Sequence, residues 1–198
     1  MSETGAVKFT CEHVPVELAA FPGWEELNFC RGTLRQLGLI GVEANGIGFG
    51  NLSVRETGTN NFYITGSGSS SVVEFQAAHC AKVTAYDFGR NWLRCEGTMV
   101  ASSESLTHAA IYEADGNVGA VIHCHSTAAW SRLLHVIPTT SAQVEYGTPE
   151  MADEVLNLFE ASDVRKRKIF VMAGHVDGIV AFGRDIKEAL DMISRASI

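Results

Sequence analysis

The chain has 198 residues, 46% hydrophobic and 19% charged, a balance that can bury a core and excludes a disordered or fibrous protein. Its net charge of −8 repels a nucleic-acid backbone, which excludes nucleic acid as the main partner. Apolar stretches such as Ile169–Ala173 fall far short of the ~20 residues a membrane helix needs, Met1–Gly5 is acidic and unlike a secretory leader, and the five cysteines form no CxxC pair. A cytoplasmic protein with reduced cysteines, forming one domain over residues 1–198, is expected.

In chain order, Leu27, Leu34 and Leu37 recur at roughly helical spacing and predict a helix over Trp24–Leu37, stopped by Gly38 and Gly41. Asn51–Arg55 and Phe62–Thr65 are short β-prone runs bounded by glycines, which predicts a hairpin followed by a glycine loop. Lys82–Tyr86 and Trp92–Cys95 read as two more strands joined by the turn Asp87–Arg90. Leu106, Ala109, Ala110 and Tyr112 fit one helix face, with the hydroxyls of Ser102 and Ser103 placed to cap its start. Next come a strand over Ala120–His125, helices over Thr127–Leu134, Pro149–Phe159 and Asp185–Ser194, and strands over Ile169–Met172 and Ile179–Phe182. The hairpin-like pairs early in the chain imply a largely antiparallel sheet with helices on its faces.

The chemistry gathers at a few points. In a strand, residues i and i+2 share a face, so His123 and His125 point together while Cys124 faces away. Such a pair can chelate a borderline divalent ion, or it can be two histidines satisfied by backbone or water. His175, where an apolar run ends at Gly174, is the natural third ligand. Glu104 is a fourth oxygen, a general base beside the metal, or simply a first-turn carboxylate favoured by the helix dipole. The segments 46–51 and 65–71 offer glycine amides and hydroxyls of the kind that cradle an anion, yet neither carries a nucleotide P-loop or dinucleotide fingerprint. His108, one turn after Glu104, suits a contact behind the site or plain helix packing, and the run Arg165–Lys168 reads as a solvated turn.

Four ordered blocks now stand out: Gly50–Arg55, Ile64–Gly68, Ser102-Ser103-Glu104 with His108, and His123-Cys124-His125 followed by Gly174-His175. Together they resemble the class II, metal-dependent aldolase/adducin superfamily. The resemblance implies a single-domain three-layer α/β/α sandwich with a largely antiparallel central sheet, assembled as a homotetramer with active sites at subunit contacts. It further implies that His123, His125 and His175 hold one divalent ion per subunit, zinc first, with manganese, iron or cobalt also suited to three imidazoles. Glu104 is then the acid/base, Asn51 faces the substrate, and Ser67, Gly68, Ser102 and Ser103 hold its phosphate. The implied activity is carbon–carbon cleavage of a small hydroxy-carbonyl compound, a sugar phosphate among the candidates, through a metal-stabilised enediolate. Sugar-phosphate dehydration, epimerisation, oxo-acid decarboxylation and a non-catalytic adducin-like scaffold are the alternatives.

The sequence departs from the family pattern at three places. Val176-Asp177 intervenes between His175 and Gly178, so Asp177 competes with His175 for the ligand position; the matching imidazole chemistry favours His175. Pro138–Val144 contains no tyrosine for the catalytic role that the family places in a longer excursion. After the last helix, Ile198 leaves no C-terminal tail to close over substrate.

Overall fold

A computed structural model describes residues 7–196, and the reading of Met1–Gly5 lies outside them. The N-terminal strand β1 (Thr10–Pro15) leads to helix α1 (Trp24–Gln36), whose Trp24, Leu27, Cys30 and Leu34 are buried on one face. The short strands β2 (Gly41–Val42) and β3 (Gly48–Phe49) pair as a small separate ribbon. Strands β4 (Asn51–Arg55) and β5 (Phe62–Thr65) form the expected antiparallel hairpin, and β6 (Cys80–Asp87) and β7 (Trp92–Gly97) form a second one. Helix α2 (Ser105–Ala114) precedes β8 (Ala120–His125) and α3 (Thr127–Leu133). The chain continues through α4 (Pro149–Ala161), α5 (Val164–Arg167), β9 (Ile169–Val171), β10 (Gly178–Gly183) and α6 (Ile186–Ala196).

Eight strands make one sheet in the order β1-β7-β6-β5-β4-β8-β10-β9. From β7 to β9 neighbours run antiparallel, but β1 lies parallel to β7, with Thr10 opposite Trp92 and Pro15 opposite Gly97. The sheet is therefore mixed, which corrects the expectation of a largely antiparallel one. The parallel pair joins segments more than seventy residues apart, and turn signals reveal only the pairing of consecutive strands. Its Thr-Cys-Glu-His-Val-Pro sequence also lacks the apolar alternation that marks a strand, since β1 is an edge with half its residues exposed.

Two hydrophobic clusters take alternate residues of the strands, as the two-residue period demands. In β8, Val121 joins one cluster with Leu106 and Ile111 of α2 and Val155 and Phe159 of α4. Ala120, Ile122 and Cys124 join the other, with Leu27 and Leu34 of α1 and Ala189 and Ile193 of α6. Burying a residue such as Ile122 stabilises the fold by roughly 1.5–3 kcal/mol relative to leaving it in water. Caps follow local chemistry: Thr148 Oγ1 accepts from Met151 N, with Pro149 in the first turn of α4. At α2 the expected serine cap is replaced. Glu104 occupies the N-cap position without a side-chain cap bond, while Ser102 Oγ accepts from the Glu104 amide at 3.4 Å.

Candidate metal centre

The site forms where β8 ends. Its neighbours β4 and β10 place Asn51 and Val180 opposite His123, and Gly178 opposite His125. Asn51 Nδ2 lies 3.4 Å from His123 Nδ1. The preceding Gly50 has φ +79°, and a Cβ there would sit 2.3 Å from Ile40 Cγ2 and 3.2 Å from the His123 carbonyl oxygen, so only glycine lets the strand start this close to β8.

His175 arrives from the turn between β9 and β10. That turn is pinned by His175 N donating to Met172 O, Gly178 N donating to His175 O, and Ala173 N donating to Thr140 Oγ1. Gly174 passes so near the 141–144 segment that an added Cβ would lie 1.9 Å from Val144 O. The result is a convergence of His123, His125 and His175, with one ligand-type nitrogen of each within 4.8 Å of the others. Asp177 is not part of it. Asp177 adopts φ +67° and is absent from the main cavity's lining; with Leu37, Ser126 and His125 it lines a neighbouring depression.

Glu104 enters this cluster from the start of α2, 2% exposed. Its Oε2 lies 2.5 Å from His123 Nδ1 and its Oε1 lies 3.5 Å from His175 Nε2. His123 Nε2 is buried without a hydrogen-bond partner, and Glu104 Oε2 has no neighbour of that kind beyond His123 Nδ1. Unpartnered buried polar atoms are costly, and a cation is the chemistry that three imidazole nitrogens and a carboxylate oxygen satisfy together. Burial pushes the His125 and His175 imidazoles down to about 3 and about 4, with His123 a further depressing charge on each, so both stay neutral and able to donate a lone pair. Burial also pushes the Glu104 carboxyl up, but the opposing charge and hydrogen bonding of His123 outweigh it and hold the group below the ordinary carboxylate range.

A cavity of about 410 Å³ opens onto this cluster. All nine residues singled out in the sequence line it: the three histidines, Glu104 and Asn51 on one side, with Ser67, Gly68, Ser102 and Ser103 completing the wall. Glu43, Asn45 and Tyr146 also line it and were not anticipated. Tyr146 packs edge-on against His175 with ring centroids 4.3 Å apart, beneath the Lys8 ammonium at 4.0 Å. Its only sequence signal was its place next to Gly147.

His108, His13 and His79 have other partners. His108 lies fully buried with Nδ1 2.7 Å from Ser53 Oγ, which is 2.6 Å from Tyr112 OH. His13 Nε2 meets Gly97 O, and His79 Nδ1 accepts from Gln76 N. In the basic run, Arg165, Arg167 and Lys168 pair with Asp115, Asp163 and Glu188, so the run is a set of ion pairs and part of it forms the short helix α5.

The chain belongs to the class II aldolase and adducin N-terminal domain family, whose model matches residues 42–196. Among solved structures, an L-fuculose 1-phosphate aldolase superposes with a TM-score of 0.68 at 21% identity, over 91% of this chain and 85% of that one. A sugar-phosphate aldolase from Thermotoga maritima gives 0.63 at 17% identity, over 87% and 89%. At these identities the likeness is one of fold. No curated protein sequence matches the chain. Among the described residues no helix is long and apolar enough to cross a membrane.

Proposed function

We propose that the chain is a metal-dependent lyase of the aldolase type, cleaving a carbon–carbon bond in a small hydroxy-carbonyl substrate that carries a phosphate. The observation that carries this reading is the convergence of His123, His125, His175 and Glu104 at one wall of a single cavity, with the hydroxyl- and glycine-rich segments 66–70 and 102–103 in the same lining. Three imidazoles with a carboxylate alongside suit zinc, and the reading takes one ion per subunit. The homotetramer, the cytoplasmic location and the single three-layer α/β/α domain are proposed with it; the family membership and the division of helices between the two core clusters support them.

A bound divalent cation supplies Lewis-acid stabilisation of the negative charge that develops on substrate oxygens as the carbon–carbon bond breaks. The protein supplies the rest. Asn51, fixed across from His123, offers an amide to a substrate oxygen, and the hydroxyls of Ser67, Ser102 and Ser103 offer donors to the phosphate. Glu104, buried and ionised, carries the proton between solvent-accessible cavity and the carbon that loses its bond. Tyr146 packs edge-on against the His175 ring and lines the same cavity.

The test is elemental analysis of the purified protein followed by a retro-aldol screen of phosphorylated and unphosphorylated ketoses and aldoses. Stoichiometric transition metal with cleavage of a phosphorylated compound supports the reading. A protein that binds no such metal under loading conditions would return the adducin-like scaffold as the better account.

A further inference from the structure

The cavity presents a charge problem. Its lining includes the carboxylates of Glu43 and Glu104 and no lysine or arginine, although the proposed substrate brings a phosphate dianion. Positive charge lies behind the wall instead. Arg31 on α1 is only 3% exposed, and its Nη2 donates to Ser69 O at 2.9 Å and to Val72 O at 2.8 Å, while its guanidinium carbon lies 3.9 Å from the Phe75 ring centroid. Arg35, one turn further along the helix, donates from Nη1 to Ser70 O. Neither arginine has a carboxylate within ion-pair distance among the described residues, and burial, with the Arg35 charge nearby, holds the Arg31 guanidinium below its usual range.

Two like charges at i and i+4, one of them buried without an acid, are an expensive arrangement in a chain of net charge −8. For stability alone, apolar residues of similar size would serve α1 at least as well. What the arginines do hold is the segment 69–72, by three successive or nearly successive carbonyl oxygens. In a trans peptide the carbonyl of one residue and the N–H of the next point in opposite directions, and the described residues contain no cis bond. With the Ser69 and Ser70 carbonyls turned to the arginines, the Ser70 and Ser71 amides are turned away from α1. Gly66, Ser67, Gly68 and Ser70 of this loop line the cavity.

We propose that Arg31 and Arg35 are positioning residues for substrate phosphate: they clamp the carbonyl side of the 66–72 loop, orient its amides and hydroxyls to the cavity, and supply from behind it the positive charge the lining lacks. The inference rests on the phosphate-carrying substrate proposed above. The design separates charge from contact. Both guanidinium groups act through the loop backbone across a low-dielectric layer, where a unit charge is felt more strongly than it is through water. Both arginines donate to loop carbonyls and neither lines the cavity, so they act on the substrate through the loop rather than by direct contact.

The experiment is titration of the metal-loaded protein with inorganic phosphate, followed calorimetrically, for wild type, Arg35→Gln, Arg35→Lys and Arg31→Lys. Metal content and thermal unfolding are measured in parallel. The expected result is a loss of phosphate affinity of about tenfold in Arg35→Gln, the scale of one charge-assisted hydrogen bond. Arg35→Lys should recover much of it by restoring the charge, a rescue that loop packing alone does not predict, while metal content stays at the wild-type level in all variants. If Arg31→Lys fails to fold, the two Arg35 variants still decide. Wild-type binding with unchanged affinity in Arg35→Gln overturns the arginine assignment and leaves the phosphate site standing. Absence of phosphate binding in the wild type overturns the phosphate reading itself and this inference with it.

Discussion

The Nε2 atoms of His125 and His175 stand 2.8 Å apart although the residues are separated by 50 positions in the chain. Neutral imidazoles meet this closely when one donates to the other or when both lone pairs serve a shared cation, and the unpartnered His123 Nε2 beside them favours the second use. His123→Ala and His125→Ala should each strip the metal while leaving the fold, because each removes one of three imidazole donors without touching the apolar face of β8. Metal content by mass spectrometry and far-ultraviolet circular dichroism check this; full occupancy in both variants would remove the proposed centre.

His175→Ala should lose metal and Asp177→Ala should keep it. Asp177 is not among the clustered ligand-type residues, and its backbone oxygen accepts from Ser126 N, a bond the substitution preserves. Metal retained without His175 and lost without Asp177 would reverse the ligand assignment. The positive φ of Asp177 makes the alanine variant slightly less stable, so metal content is compared at matched folded fraction.

Glu104→Gln keeps the shape and one oxygen but removes the proton-carrying charge. Turnover should fall by ~10²–10⁴-fold, the usual contribution of general acid–base catalysis, with a smaller change in metal affinity. The readout is exchange of a carbon-bound substrate proton with deuterated solvent; exchange near the wild-type rate would leave Glu104 as a helix N-terminal carboxylate only.

Gly174→Ala removes no ligand, yet its Cβ would sit 1.9 Å from Val144 O, and the turn carrying His175 must shift to relieve the overlap. Overpacking of this kind typically costs ~1–3 kcal/mol. The expected result is a metal-dissociation constant raised by about tenfold or more, since 1.4 kcal/mol is one decade. Competition with a chromogenic chelator measures it, and unchanged affinity would show that the turn adapts freely.

The pH dependence of the metal-free protein should carry a contribution from His108 alongside those of His125 and His175. Burial pushes this imidazole from 6.5 down to about 3, so the unfolded chain takes up its proton at a higher pH than the folded one does. Stability contributed by the neutral group is present above 6.5 and is lost as pH falls toward 3. His108→Gln binds no proton in either state and should flatten the decline over that window by up to one proton equivalent. Urea unfolding at several pH values tests the slope; identical slopes in both proteins would place the titration elsewhere.

Much of this architecture was legible where sequence signals are local. The helical spacing of Leu27 and Leu34, the glycine-bounded strands of both hairpins and the i, i+2 histidines of β8 each report an interaction within a few residues. The convergence of His123, His125 and His175 was legible too, because paired imidazoles on one strand face and a third at a strand end have few structural uses. What stayed hidden depended on distant partners. The β1–β7 pairing joins the start of the chain to its middle, Arg31 looks like any helix arginine until the 69–72 carbonyls meet it, and Tyr146 acquires a role only when the β9–β10 turn brings His175 beneath its ring. The serine cap expected at α2 failed for a related reason: local propensity favoured the hydroxyls, but Glu104 takes the N-cap position that aims it at the histidines.

The three histidines are not anchored alike. His123 and His125 sit on a strand hydrogen-bonded on both flanks, whereas His175 rides on a turn held by a few bonds. Opening of the turn at 172–177 costs far less than separating β8 from β4 and β10, so local and global opening are distinct events with distinct rates. Metal exchange should then be gated by the turn: escape to a chelator proceeds faster than global unfolding, stays nearly constant in mild denaturant, and accelerates when contacts such as Ala173 N to Thr140 Oγ1 are removed. The affinity of the centre and its lifetime are thereby set by different parts of the chain.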